Sequence, residues 1–298
     1  MDVAVPEGVT IRPMTIDDVD AGLRLCRAAK WNQLARDWLA FLTRDPDGAR
    51  VACRDGRVIG SVATMRYAPD LAWVAMVLVE PEARGQGIGR ALLEQGLALV
   101  ADVPSVGLDA TPAGRPLYLT LGFEDAGQLT RLQRAGSHTP QRDRLPSSNG
   151  VLLSAVRPLC PDDWNDVLDH DRRATGVDRA QMLRWLAEGA PAYAHVWCDD
   201  VSGRVGGFVL GRHGHDFEHL GPVLAPRQDV AAALVSSALA QVPAGRPVVV
   251  DAPDAPAGWT AWLRTQGFEP QRPFTRMFRG TARTMPPELF AIIGPELG

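Results

Sequence analysis

Val77-Leu78-Val79-Glu80-Pro81-Glu82-Ala83-Arg84-Gly85-Gln86-Gly87-Ile88-Gly89-Arg90 is the stretch that decides how this chain is read. Val77, Leu78 and Val79 make an apolar strand end, and Pro81 stops it. Ile88, Leu92 and Leu99 then set an apolar stripe at helical spacing. Between strand and helix stand Gly85, Gly87 and Gly89. Glycine lets a backbone come close to an anion. The first N–H groups of a helix have no intrahelical acceptor, and the helix dipole adds to their pull. Arg84 brings positive charge to the same turn. The spacing is not a dinucleotide fingerprint, which would need glycine at Arg90, nor a P-loop, because no Gly-Lys-Ser/Thr follows. These residues predict a strand–turn–helix that holds a phosphate group. A glycine-rich helix start without a ligand is the plainer alternative, and Arg84 together with the flanking elements weighs against it.

Outward from the turn, the chain repeats itself. Ile11-Arg12-Pro13-Met14 with Asp17-Asp18 recurs as Val156-Arg157-Pro158-Leu159 with Asp162-Asp163, an offset of 145 from Arg12 to Arg157. At that offset Val79-Glu80-Pro81 falls on Leu224-Ala225-Pro226, and Leu121-Gly122-Phe123-Glu124 on Gln266-Gly267-Phe268-Glu269. A period this long marks a duplicated domain, since solenoid units are shorter. The boundaries read as one domain over 1–138, a Ser/Pro/Arg/Gly-rich linker over 139–152, and a second domain over 153–298. In each copy acids open the first helix, as the helix dipole favours. A hairpin follows, 50–54 and 58–65 around Asp55-Gly56 in the first copy, 193–198 and 205–210 around Ser202-Gly203 in the second. Next come a strand (72–79; 220–224), a helix (87–100; 230–241), a short strand (105–109; 247–251), a helix carrying Tyr118 or Trp262, and a last strand. The fold class is α/β (α+β), each copy a mixed, mostly antiparallel sheet flanked by helices. Arg84, Gly87 and Gly89 fall by the offset on Asp229, Ala232 and Leu234, and Tyr118 on Leu263. The second copy is therefore expected to have lost the phosphate cradle by substitution.

Composition narrows the function. The formal net charge of -4 does not advertise nucleic-acid binding, which needs a basic face, although 31 cationic residues leave a local basic patch open. Lys30 is the only lysine among 31 cationic residues. Cys26, Cys53, Cys160 and Cys198 are scattered without C-x-x-C spacing, against a metal site or a disulfide scaffold, and are expected to be small buried residues. No signal segment opens the chain, and no apolar run approaches the ~18 residues of a membrane span. The expectation is a cytoplasmic protein, monomer or homodimer, with no metal, no nucleic-acid partner and no membrane partner.

Arg84-x-x-Gly87-x-Gly89, followed by Leu117-Tyr118-Leu119-Thr120-Leu121-Gly122-Phe123, resembles the acetyl-CoA motif of the GNAT N-acetyltransferases, over about residues 10–134. The resemblance implies two tandem GNAT-like domains, acetyl-CoA as co-substrate, and a small-molecule or peptide amine as acceptor, acetylated by direct attack. It also implies that main-chain groups of Val77, Leu78 and Val79 bond the pantetheine arm. Arg84, Gly85, Gln86, Gly87, Ile88, Gly89 and Arg90 would hold the pyrophosphate. Tyr118 would act as general acid towards the departing thiolate. The second half resembles the carboxy-terminal domain of tandem GNAT proteins of the YitH type, on Leu220-Gly221-Pro222-Val223, Asp251-Ala252-Pro253, Thr275-Arg276-Met277-Phe278 and Gly294-Pro295-Glu296-Leu297-Gly298. Trp31-Asn32-Gln33 fits that group too and puts Trp31 and Asn32 at a substrate pocket, with a buried tryptophan beside an asparagine cap as the alternative. Asp109 is a third substrate-side candidate. Glu80 and Asp109 read as structural or solvated carboxylates rather than a base. His219 and Arg276 read as surface residues, with a place facing the cleft from the second domain as the alternative, and Asp171 with Arg179 as a local ion pair. Two rivals stay open: a non-catalytic acyl-CoA-binding regulatory protein and a pseudo-enzyme with no CoA site.

Overall fold

The computed structural model describes residues 5–136, 155–199, 203–254 and 257–298. The segment read as a linker, 139–152, and Ser202 of the second hairpin lie outside them. The chain forms two compact units. Unit 1 comprises Met1–Asp125, Met277–Arg283 and Glu296–Gly298, and unit 2 comprises Ala126–Arg276 and Thr284–Pro295.

In unit 1, β1 (Thr10–Pro13), β2 (Ala49–Arg54), β3 (Arg57–Tyr67) and β4 (Leu71–Val79) pair antiparallel in order. β5 (Ser105–Ala110) then joins β4 in parallel. The helices are α1 (Val19–Ala28), α2 (Ala35–Arg44), α3 (Ile88–Leu99) and α4 (Arg115–Thr120). The β2–β3 hairpin turns on Asp55 and Gly56 at φ 50° and 75°, the left-handed pair that matches strand twist. The strand beside β5 comes from the end of the chain. Met277 packs in the core with Leu92, Leu93 and Phe123. The Phe278 ring meets Trp73 edge-on at 6.2 Å, and Ser105 Oγ donates to Thr281 O at 2.7 Å.

In unit 2, β7 (Val156–Pro158), β8 (His195–Cys198), β9 (Val205–Arg212) and β10 (Glu218–Leu224) are antiparallel neighbours. β11 (Val248–Pro253) is parallel to β10. The helices are α5 (Trp164–Thr175), α6 (Ala180–Gly189), α7 (Gln228–Leu239) and α8 (Ala257–Thr265). β6 (Glu124–Arg134) pairs antiparallel with β11, so from Ala126 onward it belongs here. Its register puts Arg131 opposite Asp251, and the two form a buried bidentate ion pair at 2.7 and 2.6 Å. Losing one member of such a pair costs about 3–5 kcal/mol, which pins β6 to this position. His219 Nε2 lies 3.1 Å from the same carboxylate. His219 is therefore buried, and Arg276 is buried too, so neither stands at the surface. Asp171 and Arg179 do pair, at 2.6 and 3.1 Å, with Arg179 standing just before α6. Cys160 and Cys198 depart from the expectation of burial, being exposed and half-buried.

The duplication survives in matching local devices. Arg12 grips Asp18 at 2.7 and 2.8 Å while Asp18 accepts the Thr15 N–H. Arg157 grips Asp163 at 2.6 and 2.7 Å while Asp163 accepts the Cys160 N–H. Gly122 and Gly267 both sit at φ 82° and turn Phe123 and Phe268 into their cores. What the repeat does not reveal is strand partnership. The last strand read for the first half, β6, counts with unit 2, and the end of β12 (Phe268–Gly280) counts with unit 1. Period-2 patterning tells which face of a strand is buried, not which strand lies beside it. A fragment ending at residue 138 thus lacks Met277 and Phe278. It should show weak near-UV circular dichroism and a broad, non-cooperative urea transition, and a sharp native-like transition would contradict this topology.

Candidate functional site

The connection Glu80–Gly87 links β4 to α3 through a short 3-10 turn, Pro81–Ala83. Gly85 and Gly87 stand at φ 75° and 81°, and Gly87 is the N-cap of α3. No side chain caps this helix, and no acid stands in its first turn. Its opening N–H groups are thus left for an external acceptor, and the dipole favours an anion there. A methyl on Gly85 would meet nothing within 4 Å, and one on Gly89 would only touch Val79 at 3.6 Å and Leu117 at 3.9 Å. Backbone conformation demands glycine at 85 and 87. At 89 nothing in the protein itself does, which suits a partner that approaches the backbone closely. Arg84 Nε donates to Val79 O at 3.1 Å from an otherwise exposed side chain. Gln86 is exposed and donates to Glu82 O at 3.2 Å. Arg90 reaches Thr120 Oγ1 at 2.7 Å, tying α3 to α4.

Beside the turn the sheet opens. β4 and β5 pair from Leu71↔Ser105 to Trp73↔Gly107 and then part. The register of β4 against β3 slips between Ala63↔Ala75 and Ser61↔Leu78, so Met76 and Val77 oppose Val62 alone. This is a β-bulge, and Met76 carries its strain at φ 53°. The buried Ser61 hydroxyl fixes it by donating to Met76 O at 2.8 Å. Beyond the bulge, Leu78 and Val79 keep β3 on one edge, while main-chain groups on the other edge have lost β5 as a partner. Asp109 lies on β5 past the last paired residue and is half-buried.

Tyr118 on α4 is half-buried, its ring 6.0 Å from Phe123. Among the described residues its hydroxyl has no hydrogen-bond partner. Burial pushes the phenol up to about 12. Leu117, its neighbour, lies with Val79 over Gly89, so the turn, the end of β4 and the tyrosine helix converge. Glu80 is held by Arg24 at 3.0 Å and Arg57 at 2.8 Å, a structural carboxylate. Trp31 is half-buried and Asn32 buried. The contacts that fix their segment run from Arg27 to Trp31 O at 2.8 Å and from Gln33 to Glu296 at 3.0 Å. Among the described residues no group of three or more His, Cys, Asp or Glu could hold a metal, and no helix is long and apolar enough to cross a membrane.

Unit 2 repeats the bulge but not the site. Its register slips between Leu220↔Gly211 and Val223↔Val209, so Gly221 and Pro222 stand where Met76 and Val77 do in unit 1. Here the gap is filled. β13 (Leu289–Ala291) pairs with β10 at Val223 and Leu224, and Ile292 N donates to Asp251 O of β11 at 3.0 Å. The indole of Trp259 donates to Phe290 O at 2.7 Å and locks the strand in. The connection to α7 has shrunk to Ala225–Arg227. Asp229, Ala232 and Leu234 lie inside α7, so the cradle was lost by shortening, and the expectation of residue-for-residue substitution is corrected.

Sequence and structure comparisons agree with this architecture. A model described as an acetyltransferase (GNAT) domain matches residues 45–125, and a second model of the same description matches 167–290. The chain is 31% identical to the holothin acyltransferase of Pseudoalteromonas sp. (strain SANK 73390), over 91% of this chain and 88% of that protein. It is 25% identical to the uncharacterized N-acetyltransferase YitH of Bacillus subtilis (strain 168), over 95% and 96%. A putative acetyltransferase from Pyrococcus horikoshii has the same fold with a TM-score of 0.80 at 20% identity, covering 99% of this chain and 98% of that one. The chain therefore belongs to the GNAT acetyltransferase family, with two GNAT domains in tandem, and is an acyltransferase.

Proposed function

We propose that unit 1 takes acetyl-CoA and passes its acetyl group to an amine, and that unit 2 takes no acyl-CoA. The observation that carries this reading is the contrast between the two bulged strands: one faces an open gap above an uncapped, glycine-turned helix, and the other faces a gap filled by its own chain. Arg84, Gly85, Gln86, Gly87, Ile88, Gly89 and Arg90 would take the pyrophosphate, and Val77, Leu78 and Val79 the extended arm. The relative named for holothin supports a small-molecule acceptor, although a peptide amine fits the same chemistry. Asp109, on the open stretch of β5, and Trp31 and Asn32 are the proposed acceptor-side residues.

The neutral amine attacks the thioester carbonyl, the carbonyl oxygen gains charge, and the C–S bond breaks to release a thiolate. Main-chain N–H groups beyond the bulge would steady the oxyanion. Tyr118 meets the thiolate. A phenol near 12 facing a thiol of ordinary pKa ~8.5 would have to give up its proton uphill by roughly 5 kcal/mol. Tyr118 therefore donates a hydrogen bond and keeps its proton, and the proton lost by the amine leaves through solvent.

Tyr118→Phe should lower kcat about 10- to 100-fold in a CoA-release assay with an amine panel, with little change in KM for acetyl-CoA. A group raised to about 12 stays protonated until pH approaches that value. Native and Tyr118→Phe profiles should therefore run parallel from pH 6 to 10, and an alkaline limb that vanishes in the variant would contradict the assignment. Gly87→Asp puts a side chain at φ 81° and a carboxylate at the anion site. It should abolish acetyl-CoA binding by calorimetry while the far-UV spectrum stays native. Tight binding of acetyl-CoA by the native chain, with no turnover on any amine, would favour the regulatory reading.

A further inference from the structure

Five arginines surround the turn of unit 1, and the structure sorts them. Arg24 and Arg57 share Glu80, and Arg90 pairs with Glu94 at 3.2 Å. Among the described residues Arg54 and Arg84 have no carboxylate partner. Arg84 belongs to the glycine-rich stretch, whereas Arg54 is the last residue of β2, thirty positions upstream. One of its terminal nitrogens donates to Gln86 Oε1 at 2.7 Å, and Gln86 is in turn anchored on Glu82 O. A guanidinium has five N–H donors, and this contact uses one. The hairpin thus presents a second uncompensated cation directly against the turn.

Unit 2 supplies an internal control. Cys53 and Cys198, which pair with Val58 and Val205 in the two hairpins, match at the repeat offset of 145, so the residue after each cysteine is equivalent: Arg54 in unit 1 and Asp199 in unit 2. The unit whose turn is shortened and whose gap is filled holds an acid at this place. The cation accompanies the glycine turn and not the hairpin.

We infer that Arg54 is a pyrophosphate-binding residue of unit 1, held in place by Gln86. This rests on the reading of unit 1 as the acetyl-CoA site. Arg54 and Arg84, with the roughly half charge at the start of α3, balance the two negative charges of a diphosphate diester. Arg54 is half-buried but meets Gln86 in an exposed contact, so a cation here also makes affinity depend on salt.

The test compares dissociation constants of CoA and 3′-dephospho-CoA, by calorimetry, for native protein, Arg54→Gln and Arg54→Lys. Arg54→Gln should weaken both ligands by the same factor, about 10-fold, and flatten the dependence of affinity on salt. Arg54→Lys should recover part of the loss, because it keeps the charge but not the planar fork. A change under twofold in Arg54→Gln would overturn the inference. So would a loss confined to CoA, which would move the contact to the 3′-phosphate. So would an equal loss of kcat/KM with acetyl-pantetheine, which has no phosphate and would report only a distorted turn. A native protein that binds neither ligand would sink both this inference and the reading beneath it.

Discussion

One register slip in the central strand of each unit governs everything around it. Two residues, Met76 and Val77 or Gly221 and Pro222, stand opposite a single residue of the neighbouring strand. The extra residue bends the strand, and the parallel partner on its other edge can no longer follow. A sheet that parts in this way exposes main-chain donors and acceptors that must be satisfied by something. The two units answer that demand differently. Unit 2 uses its own chain, and it has committed to that answer: a methyl on Gly221 would come within 2.0 Å of Ile292 O, so only glycine admits β13. Unit 1 has no strand of its own in the gap among the described residues. It instead places a glycine turn, an uncapped helix and an unpartnered phenol around it.

The asymmetry is what the proposed division of one polypeptide into two copies of a fold and one site rests on. Duplicated domains are free to diverge once a single copy suffices, and here the divergence is physical. In unit 2 the turn is short, the slot is filled, and Asp199 stands where unit 1 has Arg54. On the reading proposed for unit 1, each difference takes away a different part of an anion site: the backbone donors, the space and the charge. In unit 1 all three remain, and Arg90 couples the turn to the helix that bears Tyr118.

Much of this was legible in the residues. Asp55-Gly56 between apolar runs announced a hairpin whose turn has the expected left-handed pair. Pro81 and the glycines announced the strand end and the helix start. The repeated Arg-Pro and Asp-Asp pairs mark ion-paired helix caps that recur in both halves. What sequence could not show were the long-range choices. The partner of a strand depends on packing and on pairs such as Arg131–Asp251, 120 residues apart. A constant offset hides a shortened connection when later matches restore the register. His219 and Arg276 looked exposed because lone polar residues usually are, and only the buried carboxylate of Asp251 shows what keeps His219 inside. Arg54 carried no motif. Its signal was the acid at the equivalent position, which becomes readable only once the two hairpins are set side by side.

On the reading proposed for unit 1, its open gap receives the acyl donor and the filled gap of unit 2 does not. Hydrogen–deuterium exchange resolved to peptides, with and without saturating acetyl-CoA, tests it most directly. Amides across 76–90 should slow on adding acetyl-CoA, while those across 289–292 should be slow beforehand and unchanged. Exchange across 76–90 that ignores acetyl-CoA, or acetyl-CoA that releases 289–292 into faster exchange, would contradict the account.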